Sequence, residues 1–324
     1  MRLAVLFGWP ASSSLSPAMF RAAFDEVGLR DWAYIPIDVE RAGIGRAFGV
    51  LGAVNVAGAN VTIPHKEAAL GLVSVATPRA LAAGAVNLVY RDSGRLIGDN
   101  TDGGALIESL AVRGVQASGL KAVIFGAGGS ARGCAAALVM AGAREIVVLN
   151  RTEQRAAILG SDLRAIPVTP GHEGPSVVVG RWDVQEWDSG LPEVREDMAR
   201  RLASALSGAG LVVNTTTLTR EGPGEAPGRP PIPQSVAENL MSSALAPGAV
   251  FCDLVYSPVV TVHLEQGRRL GLETITGLEI LARQAFPAFE LWTGLPAPKA
   301  AMARALVQAA GGESRGVPEI PYCG

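Results

Sequence analysis

The chain has 324 residues, of which 48% are hydrophobic and 18% charged, and its formal net charge is -2. This composition is typical of a globular protein, and the length predicts two domains with a core that needs no metal or disulfide. A nearly balanced charge offers no broad cationic surface, so we expect no nucleic-acid partner. The three cysteines and three histidines are scattered without the spacing of a zinc site or a disulfide framework, and we expect no metal.

The beginning of the chain does not have the pattern of a targeting segment. The apolar run before Gly8 is too short for the core of a signal peptide. No stretch approaches the roughly 18 consecutive apolar residues that a membrane helix requires. We therefore expect a cytoplasmic protein without a membrane partner.

Short apolar runs alternate with helix-like segments over the first hundred residues. In chain order they are LAVLFG, the helical PAMFRAAFDEVG, then WAYIPIDV, GANVTI, GAVNLVYR and RLIGD. Strands that alternate with helices predict a parallel or mixed sheet covered by helices. This part of the chain is predicted to form one α/β unit.

A second unit begins at Lys121 with AVIFGAGGSARGCAAALVMAGAREIVVLNR. The segment has the pattern of a strand, a Gly-rich turn, a helix and a strand, which predicts a βαβ unit. GAGLVVNTTT and GAVFCDLVYSP then follow, two apolar runs that end in polar residues. Loops after such strands face ligands in α/β proteins.

The rest of the chain has weaker patterns. Residues 160–208 carry no recognisable motif and are expected to be a surface elaboration, and residues 220–234, rich in proline and glycine, a long loop. GLEILARQAFPAFELWTG and PAPKAAMARALVQAAGG predict two amphipathic helices that could cap either domain. The last dozen residues are expected to form a loose tail.

Gly126, Gly128 and Ala131 form a G-x-G-x-x-A pattern directly after the strand AVIF and at the start of a helix. The first glycine allows the tight turn, the second lets the backbone approach a pyrophosphate, and the alanine permits close packing of helix on strand. The helix N-terminus offers N–H groups to phosphates. The pattern predicts a dinucleotide site, the alternative being a purely structural turn.

The end of the second strand of this unit indicates which dinucleotide binds. An NAD enzyme places an acidic residue there for the ribose 2′-hydroxyl. This chain instead has Asn150-Arg151-Thr152, with Arg155 one helical step further. Because a guanidinium pairs with a 2′-phosphate, we expect NADP. The alternative is that Arg151 and Arg155 are solvated charges at the start of a helix.

Lys66 follows a predicted strand of the first unit and has Asp102 as its natural partner. A lysine beside an aspartate in a partly desolvated cleft can exchange a proton with a hydroxyl while that carbon gains or loses hydride. Taken alone, Lys66 also fits a solvated lysine. Ser14, Ser16 and Thr62 taken alone fit helix caps or turn residues.

The order of the motifs indicates a family. The chain contains SLSP at 14–17, NVTIPHKE at 60–67, GAVN at 84–87, GDNTDG at 98–103, GAGGSAR at 126–132, NRT at 150–152, DLVY at 253–256 and GLEILARQ at 277–284. From Gly8 to about Val307, apart from residues 160–208, it resembles the shikimate dehydrogenases. The pair N-V-T-x-P-x-K and D-N-T-D is highly specific for that family.

The resemblance implies two α/β domains with catalysis in the cleft between them. Residues 1–103, completed by helices within 277–310, would form the N-terminal substrate-binding catalytic domain, and residues 104–276 a Rossmann-type NADP-binding domain. The implied activity is the reversible, NADP-dependent reduction of 3-dehydroshikimate to shikimate, a step of chorismate and aromatic amino-acid biosynthesis. The implied partner is this small-molecule substrate, bound by a monomer or homodimer.

The resemblance also implies roles for individual residues. Lys66 and Asp102 would form the catalytic pair, with Lys66 as the preferred proton carrier. Substrate binding would involve Ser14, Ser16 and Thr62 at the carboxylate, Asn60, Asn87 and Asp102 at the ring hydroxyls, and Gln284 and Tyr256. The cofactor would be bound by Gly126, Ala127, Gly128, Gly129, Ser130, Ala131, Asn150, Arg151, Thr152, Arg155, Thr215 and Gly277.

The chain departs from the family pattern beside the carboxylate-binding segment. Phe20 and Arg21 stand where family members usually carry His-Asn, and Ser13 where His or a similar polar residue is common. Quinate or a related hydroxy acid therefore stays open as the substrate. A non-catalytic NADP-binding regulator is a further alternative, against which the presence of both Lys66 and Asp102 argues.

Overall fold

A computed structural model describes residues 1–168, 174–221, 228–237, 244–311 and 320–321. The chain divides into two compact units. Unit 1 comprises Met1–Arg113, Arg132–Ala137 and Leu278–Gly324, and unit 2 comprises Gly114–Ala131 and Leu138–Gly277. Unit 1 thus continues beyond residue 103, where the sequence placed a boundary, and includes the helix that follows. The function assigned to each domain stays a prediction.

The sheet of unit 1 has six strands in the order β2-β1-β3-β5-β6-β4. β1 pairs in parallel with β2 and β3, whereas β5 runs antiparallel to both β3 and β6. The mixed sheet predicted from the alternating pattern is therefore confirmed. The strands are β1 Arg2–Gly8, β2 Trp32–Asp38, β3 Val56–Val61, β4 Val75–Ala76, β5 Leu88–Asp92 and β6 Arg95–Asp99.

Helices follow most strands in both units. The described α-helices are α1 Ser16–Glu26, α2 Ile44–Ala47, α3 Lys66–Ala69, α4 Pro78–Ala83, α5 Asp102–Val112, α6 Gly129–Met140, α7 Glu153–Arg164, α8 Val184–Ser189, α9 Pro192–Leu206, α10 Val262–Arg269, α11 Gly277–Thr293 and α12 Lys299–Ala309. Short 3-10 turns lie at Arg41–Gly43, Phe48–Gly52 and Leu70–Leu72. Both predicted C-terminal helices are present, and unit 1 contains them from Leu278 onward.

Local sequence explains where several helices begin and end. Pro17 stands in the first turn of α1, where a missing N–H costs nothing. The Thr77 hydroxyl accepts from the Ala80 N–H and caps α4, which ends at Gly84 in the left-handed conformation. Thr261 caps α10 in the same way through the Leu264 N–H. These caps fix the point at which each helix begins.

The sheet of unit 2 is wholly parallel, in the order β12-β11-β10-β7-β8-β9. Numbered from β7, this is the doubly wound order of dinucleotide-binding domains, and the strand order reverses between β7 and β10. The Rossmann-type topology expected for this part of the chain is confirmed. The strands are β7 Lys121–Phe125, β8 Glu145–Asn150, β9 Ser176–Arg181, β10 Leu211–Asn214, β11 Val250–Asp253 and β12 Glu273–Ile275.

The expectation that residues 160–208 are a surface elaboration was wrong. β9 pairs in parallel with β8 along its whole length and extends the sheet of unit 2. Trp182 is buried, donates from Nε1 to the Pro231 carbonyl at 2.8 Å, and belongs to the same core cluster as Met198 and Leu202 of α9. The strand is short and flanked by glycine and charged residues, so it shows no recognisable alternation of apolar and polar residues.

Two other sequence expectations lie partly or mainly outside the described residues. These are the Pro- and Gly-rich loop at 220–234, of which 222–227 are not described, and the tail, of which only residues 320–321 are. Among the described helices, none has both the length and the apolar character needed to cross a membrane.

Candidate active site

Polar side chains of unit 1 gather at one edge of its sheet. β3 and β6 both end at this edge, and β5 starts there because it runs antiparallel to both. The segments that leave or enter these strands carry Lys66, Asn87 and Asp102. All three side chains are buried. Fold topology therefore brings together residues that are distant in sequence.

The centre of this edge is an ion pair between the Lys66 ammonium and Asp102 Oδ2. The two side chains are only 10% and 6% exposed. Asn87 Nδ2 donates to the other carboxylate oxygen, Asp102 Oδ1, at 2.8 Å. One carboxylate thus holds the lysine with one oxygen and an amide with the other. Such a pair in a desolvated site suits proton exchange with a bound hydroxyl.

Asn87 connects this pair to α11. Its Nδ2 also lies 3.1 Å from Gln284 Oε1, and its Oδ1 accepts from the Thr101 N–H at 2.8 Å. The Thr101 hydroxyl donates to the Gln284 backbone carbonyl at 2.9 Å. Gln284, almost two hundred residues further along the chain, is therefore part of the same network.

Asn60, near the end of β3, lies next to Asn87. Its Nδ2 donates to the Asn87 backbone carbonyl at 3.3 Å, and its Oδ1 accepts from the Tyr34 hydroxyl at 2.9 Å. Asn60 is 5% exposed and Tyr34 9%. Asn60 is among the residues that the resemblance implies, whereas Tyr34 was not predicted, since a tyrosine in a strand normally indicates only packing.

The predicted carboxylate-binding residues lie on two neighbouring loops. The Ser14 hydroxyl donates to Ser16 Oγ at 3.1 Å and accepts from the Ser16 N–H. Thr62 is half-buried beside this loop: its N–H donates to the Phe7 carbonyl, and Trp9 N–H donates to the Ile63 carbonyl. The loop that begins at Trp9 and the segment after β3 are therefore joined by backbone hydrogen bonds.

Asp38 organises the serine loop, a role that no pattern in the sequence indicates. Its carboxylate accepts from the N–H groups of Ala11 and Ser12 at 2.6 and 2.9 Å and from the Ser12 hydroxyl at 3.1 Å. These donors hold the pKa of Asp38 below its ordinary value. The loop that presents Ser14 and Ser16 is thus anchored to the end of β2.

A second buried carboxylate supports the segment that carries Asp102. Asp99 accepts from Thr77 Oγ1 at 2.6 Å, from the Asn100 N–H at 2.8 Å and from the Arg79 guanidinium at 2.5 Å. Burial acts to raise the pKa of Asp99, but these donors outweigh it and the pKa is lowered. Asp99 is therefore an ionised anchor for the turn that leads into α5.

In unit 2, the Gly-rich turn lies between β7 and α6. Gly126 has φ +116°, a conformation that favours glycine, and a Cβ on it would collide with the Thr215 hydroxyl. A Cβ on Gly128 would meet nothing within 4 Å. Ala127 and Ala131 are buried. The backbone at Gly128 is thus open to a ligand while the residues beside it pack inward.

The surroundings of this turn match the topological switch point of the sheet. α6 begins at Gly129, so the backbone N–H groups of Gly129, Ser130 and Ala131 form its first turn. Thr215, directly after β10, donates from its N–H and its hydroxyl to the Phe125 carbonyl, at 2.9 and 2.8 Å. Helix N–H groups beside a glycine turn at this position form an anion site.

The arginines expected at the 2′-phosphate follow β8 directly. Arg151 and Thr152 are exposed, and Asn150 Nδ2 donates to the Thr152 carbonyl at 2.8 Å. Arg155, also exposed, reaches back to the Ala127 carbonyl at 3.4 Å. Arg155 thus connects the start of α7 with the Gly-rich turn.

Another buried carboxylate, Asp253, holds the segment after β11. It accepts from Asn214 Nδ2 at 2.9 Å, from Thr219 and Thr261 hydroxyls at 2.8 and 2.7 Å, and from the Val255 N–H at 3.0 Å. Burial raises the pKa of Asp253 to about 6 although these donors oppose it. This network shapes the turn that carries the half-buried Tyr256.

Gly277 lies beside the same segment. It begins α11, and a Cβ on it would meet the carbonyl oxygens of Leu254 and Val255. Only glycine therefore allows this close approach. Gly277 and Tyr256 both belong to unit 2, whereas Gln284 belongs to unit 1.

The fold and these side chains define a class of protein. A parallel sheet in doubly wound order with a Gly-rich turn at its switch point is typical of nicotinamide-dependent oxidoreductases, and a buried Lys–Asp pair is typical of proton-transfer chemistry. Among the described residues, no group of three or more His, Cys, Asp or Glu side chains could hold a metal ion.

Comparison with known proteins identifies the family. The chain matches the models for the shikimate dehydrogenase substrate binding domain at residues 6–89, shikimate/quinate 5-dehydrogenase at 109–170, and the shikimate 5′-dehydrogenase C-terminal domain at 277–307. It is 37% identical to the NADP(+) shikimate dehydrogenase of Rhodospirillum rubrum over 91% of this chain and 92% of that one. It is also 37% identical to the NADP(+) shikimate dehydrogenase of Moorella thermoacetica, over 97% of this chain and 95% of that one. The chain belongs to the shikimate dehydrogenase family.

Solved structures agree with this assignment. Shikimate 5-dehydrogenase from Thermus thermophilus, in complex with NADP(H) and shikimate, has a TM-score of 0.72 and 32% identity over 95% of this chain and 100% of that one. Quinate dehydrogenase from Corynebacterium glutamicum, in complex with NAD, has a TM-score of 0.74 and 27% identity over 95% and 99%. The fold is thus shared by relatives with different substrates and cofactors.

Proposed function

We propose that this chain is an NADP-dependent shikimate dehydrogenase that interconverts 3-dehydroshikimate and shikimate. The observation that carries the proposal is the buried network of Lys66, Asp102, Asn87 and Gln284 in unit 1. Relatives that share 37% identity over more than nine-tenths of the chain bear the name NADP(+) shikimate dehydrogenase. Unit 1 would bind the substrate and unit 2 the cofactor.

The residues of unit 2 fit NADP. Gly128 faces open space at the start of α6, where backbone N–H groups suit a pyrophosphate, and Arg151 and Arg155 supply positive charge for a 2′-phosphate. NADP held by these residues would supply the hydride for reduction and accept it in oxidation. No carboxylate follows Asn150 directly, so a 2′-phosphate meets no repulsion from residues 151 or 152.

The residues of unit 1 provide the proton and hold the ring. The Lys66 ammonium donates a proton to the carbonyl oxygen of the substrate during reduction and takes it back during oxidation. Asp102 fixes the position of the ammonium, and Asn87 fixes Asp102 by donating to its other oxygen. Because this pair is almost fully buried, bulk water has little access to the transferred proton.

The substrate carboxylate is assigned to the hydroxyls of Ser14, Ser16 and Thr62. Neutral donors suit an anion that must bind and then leave, since a paired arginine would hold it more strongly. Asp38 keeps the serine loop in place from the end of β2. Asn60, Asn87 and Gln284 offer amides to the ring hydroxyls.

The departure at Phe20 and Arg21 does not change this assignment. Phe20 is fully buried among aromatic side chains, and Arg21 is exposed on α1. Initial rates with shikimate and quinate, each with NADP and NAD, test the proposal. We expect the highest kcat/KM with shikimate and NADP. A preference for quinate would reassign the substrate, and the absence of turnover with all four pairs would refute the activity.

The same proposal includes a cytoplasmic location and a monomer or homodimer. Cell fractionation and sedimentation of the purified chain measure these two properties directly. A sedimentation coefficient that corresponds to more than two copies would contradict the second.

A further inference from the structure

Tyr34 lies behind the proposed substrate site and has no role in the function proposed above. It is on β2, is 9% exposed, and donates from its hydroxyl to Asn60 Oδ1 at 2.9 Å. A buried tyrosine hydroxyl normally finds a partner. Here that partner is itself one of the amides assigned to the ring hydroxyls.

The contacts of Asn60 fix which way its amide faces. Nδ2 donates to the Asn87 backbone carbonyl at 3.3 Å, so Oδ1 is the atom that Tyr34 meets. An asparagine amide has two N–H donors and two acceptor lone pairs. These two contacts use one of each, which leaves one donor and one acceptor in a defined direction for a ligand.

An aromatic stack in turn fixes the ring of Tyr34. Phe20 lies face to face with it, at 4.3 Å between centroids and 12° between planes. Trp292 of α11 packs at 6.2 Å from Tyr34 and at 5.3 Å from Phe20. The stack gives the tyrosine hydroxyl little freedom to leave Asn60.

We infer that Tyr34 is a positioning residue, held by Phe20, that sets the orientation of the Asn60 amide for recognition of a ring hydroxyl. This inference rests on the proposed function, because it takes Asn60 to be a substrate ligand. Tyr34 itself acts through Asn60. It should therefore affect the affinity for substrate and leave proton transfer by Lys66 unchanged.

The test is a double-mutant cycle with Tyr34→Phe and Asn60→Ala. Tyr34→Phe keeps the stacked ring and removes only the hydroxyl, so we expect the KM for shikimate to rise roughly tenfold, the cost of one buried hydrogen bond. The turnover number and the KM for NADP should stay within about twofold. In the Asn60→Ala background, Tyr34→Phe should add nothing, because its target is gone.

Tyr90→Phe is the matched control, since it removes a phenol from β5 of the same sheet at a residue with no assigned role. Its KM should equal that of the wild type. An unchanged KM in Tyr34→Phe would overturn the inference. A KM of the double variant that rises by the product of the two single effects would overturn it too, because the two residues would then act independently. A turnover number that falls together with the melting temperature would also overturn it, because that result indicates a purely structural tyrosine.

Failure of the proposed function is distinguishable from failure of this inference. A wild-type chain without NADP-dependent shikimate oxidation would refute both before any variant is made. An active wild type with an unaffected Tyr34→Phe variant would refute the inference alone. Phe20→Leu extends the test: it keeps apolar bulk but loses the stack, and its KM should lie between those of the wild type and Tyr34→Phe.

Discussion

Replacing Lys66 with methionine is the sharpest test of the proposed chemistry. The change keeps most of the side-chain bulk and removes the transferable proton and the charge. General acid–base groups contribute about 10²- to 10⁴-fold in rate, which corresponds to roughly 3–5 kcal/mol of activation free energy. We expect the turnover number to fall by at least the lower factor. Substrate affinity should change little, because Ser14 and Asn60 keep their positions.

The same change also affects stability, because it leaves a buried carboxylate without its ion-pair partner. Asp102 is 6% exposed at its side chain, and without Lys66 its carboxylate keeps Asn87 Nδ2 as a donor at 2.8 Å. Removal of one partner from a buried ion pair costs about 3–5 kcal/mol, a large part of the stability of a typical domain. Adding Asp102→Asn removes the unpaired charge, so the double variant should regain stability but not turnover.

The assay is steady-state oxidation of shikimate with NADP, with kcat and KM determined separately, together with a urea titration of each variant. Lys121→Met is the matched control. Lys121 is also buried, with 7% of its side chain exposed, and pairs with Glu145 at 3.3 Å in unit 2, away from the proposed proton path. It should lose stability and keep its turnover number. If Lys66→Met kept near-native turnover with a raised KM, Lys66 would be a binding residue.

The remaining predictions address the cofactor, the carboxylate and pH. Arg151→Ala should raise the KM for NADP about ten- to a hundredfold and leave that for NAD nearly unchanged, so equal effects would refute the 2′-phosphate assignment. Ser16→Ala should weaken shikimate binding, measured by titration, without affecting NADP binding; unchanged affinity would place the carboxylate elsewhere, with Arg21 the next residue to test. Burial lowers the pKa of His263 from 6.5 to about 3. Below pH 6.5 this histidine therefore binds a proton in the unfolded chain but not in the folded one, and the free energy of unfolding falls by about 1.4 kcal/mol per pH unit. The pKa of Asp253 is raised from 3.8 to about 6, so protonation of its carboxyl increases the free energy of unfolding as the pH falls through 6. His263→Phe should therefore gain stability relative to the wild type as the pH is lowered from 6 to 4 in urea titrations, and two parallel pH profiles would contradict the assignment.

The sequence predicted most strands of the two sheets because these strands have simple patterns. Each predicted strand of unit 1 was an apolar run bounded by turn residues. The Gly-rich segment after Lys121 had the pattern of a βαβ unit. β9 was missed because a run of three valines between Ser176 and Gly180 is too short to show a period. Its place in the sheet depends on pairing with β8, which is information from elsewhere in the chain.

The candidate site was predicted only in part, for a similar reason. Lys66 and Asp102 are prominent because ionisable residues near strand ends are chemically informative. Tyr34, Asp38 and Asp99 were not identified, since each acts through a contact with a residue that is distant in sequence. Tyrosine on a strand and aspartate at its end are ordinary in any α/β protein. Only the register of the strands shows which side chains they meet.

The two buried carboxylates Asp102 and Asp253 differ in the physical reason for their burial. Asp253 accepts four donors from its own unit, two hydroxyls, an amide and a backbone N–H, and these account for its hydrogen-bonding capacity. Asp102 accepts from Lys66 on one oxygen and from Asn87 on the other. Burying a lysine and an aspartate together is a poor way to stabilise a fold, because apolar residues of the same volume do it as well or better. The pair at Asp102 is therefore explained better by the proton transfer proposed for it, whereas Asp253 is explained by the turn that it holds in shape.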